Sequence, residues 1–164
     1  IKEREHDGYS YELADASLAL LVESHLAGRP EYFDLESFRV IADKYADGRV
    51  MTEATIKIHV DDERFIATGE GNGPVNALDV ALRAAITRFY PEIDAMSLTD
   101  YKVRVLDESR GTDAVTRVII QTGDGEDSWG SVGVSENIIE ASWMALVDAI
   151  TYGLFRKGSA WKRG

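Results

Sequence analysis

The chain has 164 residues, a formal net charge of −11 and an apolar fraction of 45%. That is ordinary for one globular domain, with or without an appendage, and too apolar for a disordered chain. The charge argues against broad nucleic-acid or anionic-membrane binding, the absence of cysteine excludes disulfides and thiolate chemistry, and no apolar run is read as a bilayer span.

A start at Ile1 and a charged, polar stretch through Ser10 carry no secretory signal and read as a domain excised from a longer, cytosolic protein. A helix is expected over Glu12–Leu26, with Leu13, Ala16, Leu20 and Ser24 on one side, stopped by Gly28 and Pro30. Phe33–Asp43 alternates as a strand. Asp47-Gly48 is a turn, Ala54–Val60 a half-buried strand, Asp61-Asp62 a turn and Arg64–Thr68 a third strand. A glycine-rich bend, Gly69 to Pro74, then enters a helix over Val75–Phe89, whose stripe is Ala77, Ala81 and Ala85.

The order then repeats. Met96–Leu106, Ala114–Gln121 and Ser128–Val134 read as strands, Asp124-Gly125 as a turn and Asn137–Leu154 as a helix. Residues repeat as well: Leu35 to Val40 match Leu98 to Val103, Ala54, Lys57 and Ile58 match Ala114, Arg117 and Val118, and the alanine stripe recurs as Ala141, Ala145 and Ala149. Gly69 finds Gly133 at the same distance from its helix. The expected fold is α+β, two pseudo-symmetric βββα repeats with sheets and helices packed together behind one leading helix.

Few residues stand out as chemistry. The Gly69–Pro74 bend lacks the G-x-G-x-x-G spacing of a dinucleotide site and is read as a tight turn with Pro74 at the first helical position. His6, His25 and His59 have no metal-ligand spacing. The carboxylates fall in solvated turns, and no acid/base pair or serine-nucleophile motif is visible. Ser135 or Asn137 is positioned to cap the last helix. The basic tail, Arg156, Lys157, Lys162 and Arg163 beside Trp161, is a solvated end. Trp129 and Trp143 are core candidates. Tyr101 stands where the first repeat has Phe38, and its added hydroxyl needs a partner if buried.

Several stretches together resemble the C-terminal regulatory domain of the α-isopropylmalate synthase and citramalate synthase family. They are Thr52 to Lys57, Gly69 to Leu78, Leu98 to Val105, Trp129 to Val134 and Asn137 to Trp143. Asp100-Tyr101-Lys102-Val103-Arg104 and Ser135 to Trp143 resemble the citramalate branch more closely. The resemblance implies a linker segment at 1–30 with one helix, a regulatory domain at 31–158 made of repeats 31–90 and 95–157, and a tail at 159–164. It implies a homodimer that binds a branched-chain amino acid, isoleucine in the citramalate branch and leucine in the other, and feedback-inhibits a catalytic barrel. That barrel, absent here, would use a divalent metal and acetyl-CoA; this fragment would be non-catalytic and need no cofactor.

Carried over by position, the resemblance places Asn72, Gly73 and Val75 near the effector. Leu98, Tyr101 and Val105 would line its side-chain pocket, with Asp113, Ala114 and Thr116 following and Asp113 facing the ammonium. Val134 and Glu136 close the set, although the leucine branch has a proline near Glu136. Leu98, Tyr101 and Val105 fall at i, i+3 and i+7, which no regular strand turns to one face. A bulge, a twist or a wrapped pocket is therefore expected. The residue chemistry fits in part: the apolar positions suit an aliphatic side chain, and backbone N–H groups around Gly71 to Gly73 suit a carboxylate.

Overall fold

The computed structural model describes residues 14–106 and 114–159. Asp113 and the tail residues Trp161, Lys162 and Arg163 lie outside them, as does the chain before Ala14. The elements are α1 (Asp15–Leu26), β1 (Asp34–Lys44), β2 (Val50–Val60), β3 (Glu63–Gly71), α2 (Pro74–Ile86), a 3-10 turn (Pro91–Ala95), β4 (Ser97–Leu106), β5 (Val115–Gly123), β6 (Ser128–Ser135) and α3 (Ile138–Arg156). Two compact units result, Glu31–Ile93 and residues 14–30 with Asp94–Ser159. Each holds a three-stranded antiparallel meander, β1-β2-β3 or β4-β5-β6, and a helix that follows it. The α+β, twice-βββα architecture is the one the repeat implies.

The turns form where the sequence chemistry asks for them. Asp61 and Asp62 both take positive φ, 53° and 66°, in the two-residue link between β2 and β3. Gly48 and Gly125 take φ of 96° and 89° in the β1–β2 and β5–β6 hairpins. Asn137 caps α3, accepting from the N–H groups of Ile139 and Glu140 at 2.8 and 3.2 Å. Pro74 opens α2 at its first turn.

Two sequence expectations are corrected at the helix–sheet junction. Gly69 and Gly71 are not a bend; they are the last turns of the β3 ladder, paired with Ala54 and Thr52. Their service is closeness. A Cβ on Gly69 would lie 2.5 Å from the Ala81 nitrogen and 2.7 Å from the Ala77 oxygen. Gly133 of β6 lies equally tight under α3, where a Cβ would strike the Ala141 carbonyl. Two more side chains of β6 fasten to the same helix: Ser131 Oγ donates to the Ala145 carbonyl at 2.6 Å, and Trp129 Nε1 to that of Ala149 at 3.0 Å. Trp129 and Trp143 are both buried, as expected. The second correction concerns α3 itself. At 19 residues it is long and apolar enough to cross a membrane by length and composition, but its apolar side packs on β5 and β6 as a core helix.

The repeat is also re-registered. The strand pairing makes Leu35 opposite Ile58 and Leu98 opposite Thr122. Ala54 therefore corresponds to Val118, and Thr52 to Thr116, rather than Ala54 to Ala114. The slip is four residues, an even number, so it leaves inward and outward faces unchanged and the alternation cannot reveal it.

Helix α1 packs in the second unit, along the edge strand β6. Asp15 Oδ1 accepts from the Gly130 N–H at 2.7 Å and Ser17 Oγ from that of Val132 at 3.0 Å. These are edge groups with no strand beyond them among the described residues. Ser17 donates onward to Asp148 of α3 at 2.6 Å, and Arg29 donates to the other oxygen of Asp148 at 2.6 Å. Leu18 and Leu21 bury against Val132, Ile119 and Val134 on the outer side of the sheet.

Gly133→Ala is expected to destabilise the chain by about 1–3 kcal/mol through overpacking against backbone. Gly73→Ala, at an extended φ of −164° with open space around its Cβ position, should change stability by less than about 0.5 kcal/mol. Urea unfolding of both variants measures the contrast. Asp148→Ala leaves Ser17 without its acceptor and should lower stability by about 1–3 kcal/mol in the same assay.

Candidate functional site

Each helix lies over the second and third strands of its sheet and leaves the inner face of the first largely uncovered. In the second unit this open strand is β4. Its register against β5 shifts between Leu98 and Asp100, so Thr99 is an extra residue in a bulge. Leu98 then pairs with Thr122, Tyr101 with Ile120, Val103 with Val118 and Val105 with Thr116. All four β5 partners are buried on the helix-facing side. The bulge therefore turns Leu98, Tyr101 and Val105 to one face, together with Val103, which the sequence reading did not single out. Tyr101, Val103 and Val105 remain 40%, 40% and 47% exposed.

This face carries hydroxyls as well as hydrocarbon. Thr116, Thr122, Ser131 and Ser142 are all buried on it or on the helix above. The Tyr101 phenol lies 3.5 Å from Ser142 Oγ, and Thr122 Oγ1 is buried with no partner among the described residues. Ser142 carried no signal in the sequence beyond sitting on the buried stripe of α3.

The remaining candidates are distributed as follows. Ala114 is buried just before β5. Thr116 joins the face opposite Val105. Val134 pairs with Arg117 on the opposite side of the sheet and packs toward α1. Glu136 is exposed before the Asn137 cap. Asn72, Gly73 and Val75 belong to the first unit, at the corresponding junction before α2, with Asn72 exposed and Val75 buried.

The charged clusters lie elsewhere. Glu36, the bulge residue of β1, accepts two hydrogen bonds from Arg64 at 2.7 and 3.0 Å and meets His59 Nε2 at 3.0 Å. Arg64 first and His59 second hold the Glu36 carboxyl down at about 2. Asp124 sits in the β5–β6 turn, where the N–H groups of Asp127 and Glu126, aided by Arg156 and Lys157, hold it at about 2. Among the described residues no group of three or more His, Asp or Glu could hold a metal ion.

An exposed apolar strand thus lies beside buried hydroxyls, and the kinship of the chain follows from comparison. Residues 12–154 match the family model described as the LeuA allosteric (dimerisation) domain. The chain belongs to the LeuA allosteric (dimerisation) domain family. It is 53% identical to an (R)-citramalate synthase of Streptomyces coelicolor over 98% of its own length and 30% of the relative's. It is 48% identical to an (R)-citramalate synthase of Aquifex aeolicus, over 95% and 30% of the two chains. A 2-isopropylmalate synthase of Thermus thermophilus is 33% identical, over 84% and 38%. The LeuA domain chain thus spans about three tenths of the length of the curated citramalate synthases it matches.

Both low carboxyls of this LeuA domain lie below their unfolded values of 4.5 and 3.8. Each therefore adds stability that is fully present above its unfolded pKa and is lost as pH falls through about 2. Glu36→Gln and Asp124→Asn are each expected to lower stability at neutral pH and to flatten its acid decline. Urea midpoints collected across that pH range check both.

Proposed function

We propose that this chain is the amino-acid-sensing regulatory domain of a cytosolic citramalate synthase, with isoleucine as effector and feedback inhibition as its output. In this reading a second copy of the chain covers the open inner strands. The catalytic barrel elsewhere in the parent protein, reached through the linker that includes α1, joins acetyl-CoA to pyruvate with a divalent metal. This chain supplies no catalytic group.

One observation carries the proposal. The β4 bulge gathers Leu98, Tyr101 and Val105 on an uncovered face. Such a face offers hydrocarbon for an aliphatic side chain and a phenol beside it for a polar group. The resemblance had named the same three residues, whose spacing alone forbade a common side. Family kinship with (R)-citramalate synthases supports isoleucine over leucine. Isoleucine and leucine differ only in branch position, a difference worth about 1–3 kcal/mol in an apolar pocket. An allosteric linkage of about 1–3 kcal/mol between effector and barrel is sufficient for feedback control.

The test is calorimetric titration of the chain with isoleucine and then leucine. Isoleucine is expected to bind at least about tenfold more tightly, and Tyr101→Ala to weaken it by a similar factor while the melting curve stays cooperative. Preference for leucine would assign the domain to a 2-isopropylmalate synthase. No heat and no shift in melting temperature with either would leave a pure dimerisation module.

A further inference from the structure

Among the inner-face positions at which the two units differ, two face each other across the strand and the helix. Phe38 of β1 and Tyr101 of β4 are equivalent: each is the third residue after the leucine that precedes its strand's bulge, and each pairs with an isoleucine, Ile56 or Ile120. Leu78 of α2 and Ser142 of α3 are equivalent too, five residues beyond the N-caps Gly73 and Asn137. In the first unit both positions are hydrocarbon. In the second both carry a hydroxyl, and the two hydroxyls lie 3.5 Å apart.

Their protons can be assigned. Ser142 Oγ donates its single proton to the Ile138 carbonyl at 2.7 Å. Toward Tyr101 it presents only lone pairs, so the phenol O–H is the donor in that contact. The phenol oxygen then turns its own lone pairs away from α3. Ser142 is fully buried while Tyr101 is 40% exposed. One residue lies inside the core, and the other is part-exposed.

We infer that Ser142 is a positioning residue that holds the Tyr101 phenol as a hydrogen-bond acceptor facing the open side of β4, where it reads the ammonium group of an amino-acid ligand. The inference rests on the effector reading above and assigns one group of that ligand. The apolar neighbours Val103 and Val105 are left for the side chain of the ligand.

The experiment compares wild type, Ser142→Ala and Ser142→Thr by calorimetry with two probes, isoleucine and its desamino analogue 3-methylpentanoate. Loss of one hydrogen bond to a charged group corresponds to about a tenfold change in affinity. Ser142→Ala is expected to weaken isoleucine about tenfold and leave 3-methylpentanoate unchanged, and Ser142→Thr, which keeps the hydroxyl, to restore isoleucine. Unchanged isoleucine affinity in Ser142→Ala overturns the inference, and so does an equal loss for both probes, which marks a merely structural role. Carbon-13 relaxation of the Tyr101 ring is measured in parallel. A ring loosened by alanine and restored by threonine supports positioning, and a ring unaffected by alanine overturns it. Should wild type bind neither probe, the effector reading fails and the ammonium assignment falls with it, while the ring data still decide whether Ser142 positions Tyr101.

Discussion

The structure depends on a match of pitch between a strand and a helix. Two residues along β6 advance about 6.6 Å, and four residues along an α-helix about 6.0 Å. Gly133, Ser131 and Trp129 can therefore meet Ala141, Ala145 and Ala149 in succession, as they do. An alanine stripe and a glycine let the backbones approach until side chain and carbonyl bond directly. The first unit uses the same device, with Gly69 against the stripe of Ala77 and Ala81. A helix held this close to the third strand cannot also reach the first. The open face of β4 follows from that constraint, and the candidate site follows from the open face.

Much of the fold was legible because its signals are local. Alternation marked the strands, Asp-Gly and Asp-Asp the turns, and the alanine stripes the helices. The features that went unread depend on partners. Gly69 and Gly71 look like a bend until a helix is laid over them. The slip between β2 and β5 kept parity, so inward residues stayed inward under either alignment. Ser17 is one polar residue on a helix, and its two bonds, to an edge amide and to Asp148, come from residues more than a hundred positions away.

The candidate site was legible in a different way. The spacing of Leu98, Tyr101 and Val105 required an irregular strand, and the extra residue Thr99 supplies it. The same irregularity occurs in β1 after Leu35, so the bulge belongs to the repeat rather than to one unit's function. What distinguishes the units is the chemistry on the inner faces. Ile58, Ala67 and Leu78 of the first stand where Thr122, Ser131 and Ser142 stand in the second. A duplicated scaffold has diverged at side chains while keeping its backbone.

The clasp of α1 on β6 has a consequence for how copies of this sheet can associate. An antiparallel sheet extends by recruiting a strand to an unpaired edge, which is also how aggregates propagate. On the β6 side the Gly130 and Val132 amides are already taken by Asp15 and Ser17. Lateral growth from that margin is blocked by side chains of a helix that runs beside it. Copies of this sheet that meet by way of β6 must do so through side chains rather than through a shared backbone ladder.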